Sequence, residues 1–172
     1  MQNNKLRTMV TCALMAAMLA ICAWISVPVG GAVFTLQTFG VALALLLFGG
    51  KWGTVCICLY LALGVVGLPV FSGFRGGIGA LLGATGGYIL GFLVWALLYW
   101  LITAVAGQKS KCIALIAGLI GCYLFGSFWF YRLYAQSFGL ILLNCVTPYL
   151  LPDALKLWLG WTLAKRLKKF VY

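Results

Sequence analysis

The strongest candidates for chemistry in this chain are Asp153, its only acidic residue, and Lys156. Both follow Pro148 and Pro152, at the start of the last apolar segment. Because positions i and i+3 share a helix face, a carboxylate and an ammonium project together from the first turn after Pro152. An ionisable pair in an apolar segment is typical of a functional site, but two opposite charges can also simply neutralise each other. The spacing leaves both interpretations open.

Two further stretches and a set of aromatic residues offer groups that would complement a small polar ligand. Thr35 and Gln37 donate and accept hydrogen bonds, so they suit an amide-like or ureido group, although Thr35 can equally cap a helix. Arg75, in a glycine-rich stretch, suits a ligand carboxylate or else extends to lipid headgroups. The aromatic residues that could wall an apolar pocket are Trp24, Phe71, Phe74 and Tyr88. For each of them, internal packing or a place in an interfacial belt is the alternative.

The composition predicts a membrane protein. Hydrophobic residues make up 65% of the 172 residues, and the mean hydropathy is +1.14. A soluble domain of this size must expose a largely polar skin, so a polytopic helical membrane protein is the expected class. The net charge of +11 does not indicate nucleic-acid binding, because most cations lie between or beyond the apolar runs, where membrane topology and lipid headgroups explain them.

Groups for catalysis or metal binding are scarce. The chain has no histidine, a single acid and seven cysteines, and no two cysteines have the Cys-x-x-Cys spacing. It contains neither a Walker A phosphate loop nor a pairing of nucleophile and base. We therefore expect no enzymatic activity, no cofactor and no metal site. Concentrative transport would need a partner that hydrolyses ATP.

Six apolar segments predict six transmembrane helices, at residues 8–27, 36–48, 54–68, 88–106, 112–131 and 153–167. Prolines separate another apolar stretch, 138–147, from the sixth segment. The first segment follows Lys5 and Arg7, as in a signal peptide. It ends without a convincing small-x-small cleavage site and further apolar segments follow, so we expect it to be retained. The sequence thus predicts an all-α membrane protein, a six-transmembrane-helix bundle that forms a single integral membrane domain over residues 1–172.

An even number of crossings puts both termini on one side of the membrane. That side would carry Lys5, Arg7, Lys51, Lys109, Lys111, Lys165, Arg166, Lys168 and Lys169. The other side would keep only Arg75 and Arg132, so the positive-inside rule predicts cytoplasmic N- and C-termini. The stretches around Gln37, Arg75 and Asp153 then meet at the outer face.

The first segment carries small residues at helical spacing, namely Ala13, Ala16, Ala17 and Ala20. A small-xxx-small pattern lets another helix approach closely within lipid. This face either packs inside the bundle or contacts another subunit.

Four stretches are similar, in the same order, to the motifs of one known family. They are residues 34–39 (FTLQTF), 67–71 (GLPVF) with 75–77 (RGG), 83–92 (GATGGYILGF) and 151–156 (LPDALK). Over nearly the entire chain, they resemble the BioY family, the biotin-specific substrate-capture (S) subunits of energy-coupling-factor (ECF) transporters.

The resemblance implies the ECF S-component fold, six helices with glycine-rich outer loops, and high-affinity capture of biotin from outside. Biotin would be a transported ligand, and the partners would be a transmembrane coupling protein and two cytoplasmic ABC ATPases, which drive toppling of the S subunit. The resemblance also implies that Asp153 and Lys156 contact the ligand and that the glycine-rich loop covers it. It assigns the contact with the coupling protein to Ala13, Ala17 and Ala20.

The chemistry of the candidate residues agrees with biotin, which has a ureido group, a carboxylate and an apolar bicycle. One acid, one or two cations, a glutamine and aromatic rings would satisfy those groups. The expected ligand-binding residues are Thr35, Gln37, Phe71, Arg75, Tyr88, Asp153 and Lys156. The alternatives are an S component for another small carboxylated vitamin, a self-sufficient channel or transporter, and a membrane enzyme.

Overall fold

The chain folds mainly into helices. The computed structural model describes residues 2–29, 32–134 and 136–171, with side chains at 9–27, 34–134 and 136–169. Its helices are α1 (Gln2–Trp24), α2 (Gln37–Val65), α3 (Ile78–Leu82), α4 (Gly86–Ala106), α5 (Lys111–Tyr134), α6 (Phe138–Cys145) and α7 (Thr147–Val171). A 3-10 turn, Gln108–Ser110, precedes α5.

A short antiparallel hairpin follows α1, which the all-helical prediction missed. Strand β1 (Ser26–Val29) pairs with β2 (Ala32–Thr35), with Ser26 opposite Thr35. Each strand has four residues, too few for the alternation of period two to stand out in the sequence. The hairpin connects α1 to the start of α2.

Helix α2 is two helical arms joined by a reversal at Gly49. This residue has φ 72° and ψ −176°, a left-handed conformation that favours glycine. A Cβ added to Gly53 would lie 3.0 Å from the Cα of Leu45, whereas residues eight positions apart on one straight helix are about 12 Å apart. The first arm (37–48) and the second arm (50–65) therefore fold back on each other, in agreement with predicted segments 36–48 and 54–68.

The chain is a multi-pass membrane protein. In the part of the chain that the structure describes, Gln37–Val65, Gly86–Ala106 and Gln108–Tyr134 are long and apolar enough to cross a membrane. Helices α6 and α7 bend by 44° and together make a fourth candidate, and the apolar part of α1, Met9–Trp24, is shorter. By length and apolarity α2 is one candidate span, although its two arms reverse direction at Gly49. The number of six crossings therefore stays a prediction.

Glycines bring α4 and α5 close together in the middle of the bundle. A Cβ added to Gly91 would lie 2.8 Å from the Cys122 sulfur, and one added to Gly118 would lie 2.0 Å from the ring of Trp95. Trp95 is fully buried. The two helices therefore approach through backbone surfaces, as small residues permit in membrane bundles.

We expect Gly118→Ala to destabilise the fold by roughly 1–3 kcal/mol, because the added methyl overlaps a ring that is packed on every side. Reversible unfolding in detergent micelles measures this change. Gly79→Ala is the matched control, since a Cβ there meets nothing within 4 Å. Equal stability of the two variants would contradict close packing of α4 on α5.

Candidate ligand-binding site

A cavity of about 750 Å³ opens among the helices on the side where α7 begins. This volume lies in the range of small-molecule sites, ~300–1,000 Å³. Its walls come from the end of β2, the start of α2, the loop of residues 66–77, the turn before α4, and helices α4, α5, α6 and α7. The predicted site residues that line it are Thr35, Gln37, Arg75, Tyr88, Asp153 and Lys156.

Asp153 lies at the centre of the polar part of the cavity wall. Its side chain is 1% exposed, and its carboxylate accepts three hydrogen bonds from the chain. Thr38 Oγ1 donates to Oδ1 at 2.8 Å, Lys156 Nζ donates to Oδ1 at 2.7 Å, and the Tyr123 hydroxyl donates to Oδ2 at 2.5 Å. Three elements, α2, α5 and α7, therefore converge on one carboxylate.

The geometry of the Asp153–Lys156 pair is compatible with both interpretations that the sequence left open. The two charges do neutralise each other, since Nζ lies 2.7 Å from Oδ1. A carboxylate has about four acceptor positions and an ammonium has three donors, so the pair keeps hydrogen-bonding capacity after its bonds within the chain. Because both residues line the cavity, that remaining capacity is available to a molecule that enters it.

Thr35 and Gln37 form a second polar patch at the start of α2. The Thr35 hydroxyl donates to Gln37 Oε1 at 3.0 Å, and Gln37 Nε2 donates to the hydroxyl of Tyr60 at 2.8 Å. The backbone N–H of Gln37 also donates to Thr35 Oγ1, at 3.4 Å. Thr35 therefore lines the cavity and also accepts a hydrogen bond from the first N–H of the helix, and its contact with a ligand stays a prediction.

Arg75 reaches the cavity from the loop of residues 66–77. Its Nε donates to the Ser72 carbonyl at 3.1 Å, and its side chain is largely exposed. The indole N–H of Trp24 donates to the Pro69 carbonyl at 2.7 Å and so attaches this loop to the end of α1. Trp24 also stacks on Phe74 at 5.1 Å, and neither ring lines the cavity.

Phe71 and Tyr88, the two aromatic residues among the expected ligand-binding residues, lie in different environments. Tyr88 lines the cavity, with its hydroxyl 3.2 Å from Ser127 Oγ. Phe71 does not line it: its ring is 1% exposed and packs edge-on against Tyr60, 5.6 Å away, and against Gly64. Phe71 therefore supports the loop from behind, because the second arm of α2 covers its ring.

The cavity wall also contains residues that the sequence analysis did not select, among them Thr38, Tyr123, Asn144 and Tyr149. Thr38 lies next to Gln37 in a motif that the resemblance did include. Tyr123 and Asn144 are polar residues within apolar runs. That position could have identified them in the sequence, since polar groups in such runs seldom face lipid. Tyr149 lies between the two prolines and stacks on Phe34 at 4.6 Å.

The alanines of α1 divide into two sets. Ala13 and Ala17 are exposed, whereas Ala16 and Ala20 are 1% and 5% exposed. Residues four apart share a helix face, so the pattern contains one outward face and one inward face. Ala20, predicted to contact a partner together with Ala13 and Ala17, instead packs inside the chain.

Comparison with known proteins identifies the family. The BioY family model matches residues 1–172. The chain belongs to the BioY family. Its relatives include the biotin transporter BioY of Thermotoga maritima, 34% identical over 95% of this chain and 97% of the relative. The probable biotin transporter BioY of Pyrococcus horikoshii is 38% identical over 91% of this chain and 93% of the relative.

A solved structure agrees with the BioY assignment. The crystal structure of the S-component for biotin from an ECF-type ABC transporter superposes with a TM-score of 0.87 and 27% identity, covering 98% of this chain and 94% of that one. The resemblance found from the four motifs is therefore confirmed.

Proposed function

We propose that this BioY chain captures biotin with high affinity as the substrate-binding S subunit of an ECF-type ABC importer. The proposal rests on the cavity and on its polar wall, where Thr38, Tyr123 and Lys156 donate hydrogen bonds to Asp153. Relatives that span nearly the whole chain are named biotin transporters, and the similar solved structure is a biotin S-component. Biotin is a transported ligand here and not a cofactor.

The polar groups suggest how biotin lies in the cavity. Asp153 and Gln37 offer acceptors to the two ureido N–H groups, while Lys156 and Tyr123 surround the same end. Lys156 is already paired with Asp153, so its charge is largely compensated. Arg75 has no such partner, because Asp153 is the only acidic side chain in the sequence. We therefore assign the biotin carboxylate to Arg75.

We also propose how the chain is placed in the membrane. It forms a single integral domain over residues 1–172, with six crossings and with both termini in the cytoplasm of a bacterial cell. The reversal of α2 at Gly49 supports two crossings within that helix. The cavity and the loop of residues 66–77 then face outward, where biotin arrives.

A transmembrane coupling protein and two cytoplasmic ABC ATPases are the proposed partners. The sequence carries no phosphate-binding loop of its own, so the energy for uptake comes from those ATPases. The exposed face of α1 at Ala13 and Ala17 is the proposed contact with the coupling protein, because small side chains let a second helix approach.

Calorimetric titration of biotin into the purified protein in detergent tests the function. We expect tight binding of one biotin per chain. Arg75→Ala should weaken binding about 10-fold or more, as expected for loss of a charge-assisted hydrogen bond. Arg132→Ala is the matched control, since this exposed arginine at the end of α5 does not line the cavity.

Biotin amide, which lacks the carboxylate charge, separates the role of Arg75 from a general loss of affinity. It should bind the wild type more weakly than biotin does, and it should bind Arg75→Ala and the wild type with similar affinity. No heat from a folded wild-type sample would contradict biotin as the ligand. Equal effects of the two arginine variants on biotin would remove Arg75 from the site.

A further inference from the structure

Tyr60 lies between the cavity wall and the loop of residues 66–77 without lining the cavity itself. It belongs to the second arm of α2 and is completely buried. Its hydroxyl is 2.8 Å from Gln37 Nε2 on one side and 3.0 Å from the Val70 carbonyl on the other. One buried hydroxyl therefore connects the two polar elements that surround a ligand.

The directions of these hydrogen bonds follow from proton counting. A carbonyl only accepts, so the single hydroxyl proton of Tyr60 goes to Val70, and the Tyr60 oxygen must accept from Gln37. The amide nitrogen of Gln37 consequently faces Tyr60, and its oxygen faces Thr35, which donates at 3.0 Å. Tyr60 thus fixes the orientation of the Gln37 side-chain amide. One N–H of that amide and one lone pair of its oxygen remain available for a further hydrogen bond.

Tyr60 also holds the base of the turn that carries Arg75. Val70 precedes Phe71, whose ring packs edge-on against the ring of Tyr60. The N–H of Phe71 in turn donates to the Arg75 carbonyl at 2.9 Å. Position and rotation of the loop at Arg75 therefore depend on contacts with Tyr60.

We propose that Tyr60 is a positioning residue that couples the Gln37 amide to the loop of residues 66–77. Ligand contact at Gln37 and the position of Arg75 at the cavity wall are then linked through one residue. The inference rests on the proposed function, in which biotin occupies this cavity. Its expected signature is kinetic: a loop that Tyr60 holds less firmly releases bound biotin faster.

Tyr60→Phe removes the hydroxyl and keeps the ring. We expect labelled biotin to dissociate from this variant roughly 2- to 12-fold faster than from the wild type in a chase with unlabelled biotin, as expected for one net hydrogen bond. Tyr99→Phe is the matched control, because Tyr99 is equally buried and its hydroxyl has no hydrogen-bond partner among the described residues. It should keep the wild-type rate.

Two further measurements distinguish coupling from simple packing. Tyr60→Phe should accelerate release by a smaller factor in the Gln37→Ala background than in the wild type, because residues in one hydrogen-bond network are not additive. Hydrogen–deuterium exchange of residues 66–77 should be faster in Tyr60→Phe than in Tyr99→Phe, with and without biotin. A merely structural tyrosine would change global stability without this pattern.

Tyr60→Phe with the dissociation rate and loop exchange of Tyr99→Phe would overturn the proposal. Fully additive effects of Tyr60→Phe and Gln37→Ala would also overturn it. A wild type that binds no biotin would instead overturn the proposed function. In that case, exchange in the ligand-free protein would still decide whether Tyr60 holds the loop.

Discussion

Asp153→Asn should weaken biotin binding by about 10- to 150-fold, equivalent to ~1.5–3 kcal/mol of charge-assisted hydrogen bonding. The amide replaces one acceptor oxygen with a donor in a wall where Thr38, Tyr123 and Lys156 all donate. It also removes the charge that could hold the ureido N–H groups. Calorimetric titration of biotin into the folded variant measures the loss.

A double variant separates ligand binding from the internal ion pair. Removing one partner of a buried pair leaves an uncompensated charge, whereas replacing both by neutral side chains often costs little stability. Asp153→Asn should therefore lower unfolding stability, and Asp153→Asn with Lys156→Met should recover most of it. We expect biotin binding to stay weak in both. Normal binding by the double variant would show that the pair serves the fold alone.

Leucine at Ala13 or Ala17 should reduce recovery of the coupling protein in co-purification by roughly tenfold or more. Both alanines are exposed on α1, and a larger side chain would prevent close approach of a partner helix. Biotin binding by the isolated chain should not change, because neither residue lines the cavity. Co-purification and biotin uptake by cells that express the whole importer measure the effect.

Two other alanines give the matched controls for α1. Ala104 is exposed on α4, so Ala104→Leu should leave assembly intact. Ala20 is 5% exposed, so Ala20→Leu should lower the stability of the isolated chain before any partner is added. If Ala13→Leu and Ala17→Leu co-purify as well as Ala104→Leu, the outward face of α1 contacts lipid and not the coupling protein.

The sequence alone determined the class of the protein and most of its helices. Long apolar runs indicate a membrane protein. Within lipid such runs must be helical, because unpaired polar backbone groups are costly there. Segments 88–106 and 112–131 correspond closely to Gly86–Ala106 and Lys111–Tyr134. Rare charges are equally informative, and Asp153, Lys156 and Arg75 all line the cavity.

Only the tertiary structure decided which side chains meet. Asp153 accepts hydrogen bonds from Thr38 and Tyr123, which lie 115 and 30 positions earlier in the chain, and no local pattern encodes such pairings. In apolar helices the hydrophobic signal hardly separates inward from outward faces, because lipid is as apolar as the core. Ala20 was therefore assigned to an outward face, although it packs inside the chain. Phe71 lies in the loop of residues 66–77, and only the tertiary structure shows that its ring packs on Tyr60 and not on the cavity. Tyr60 itself gave no signal as a link between Gln37 and Val70.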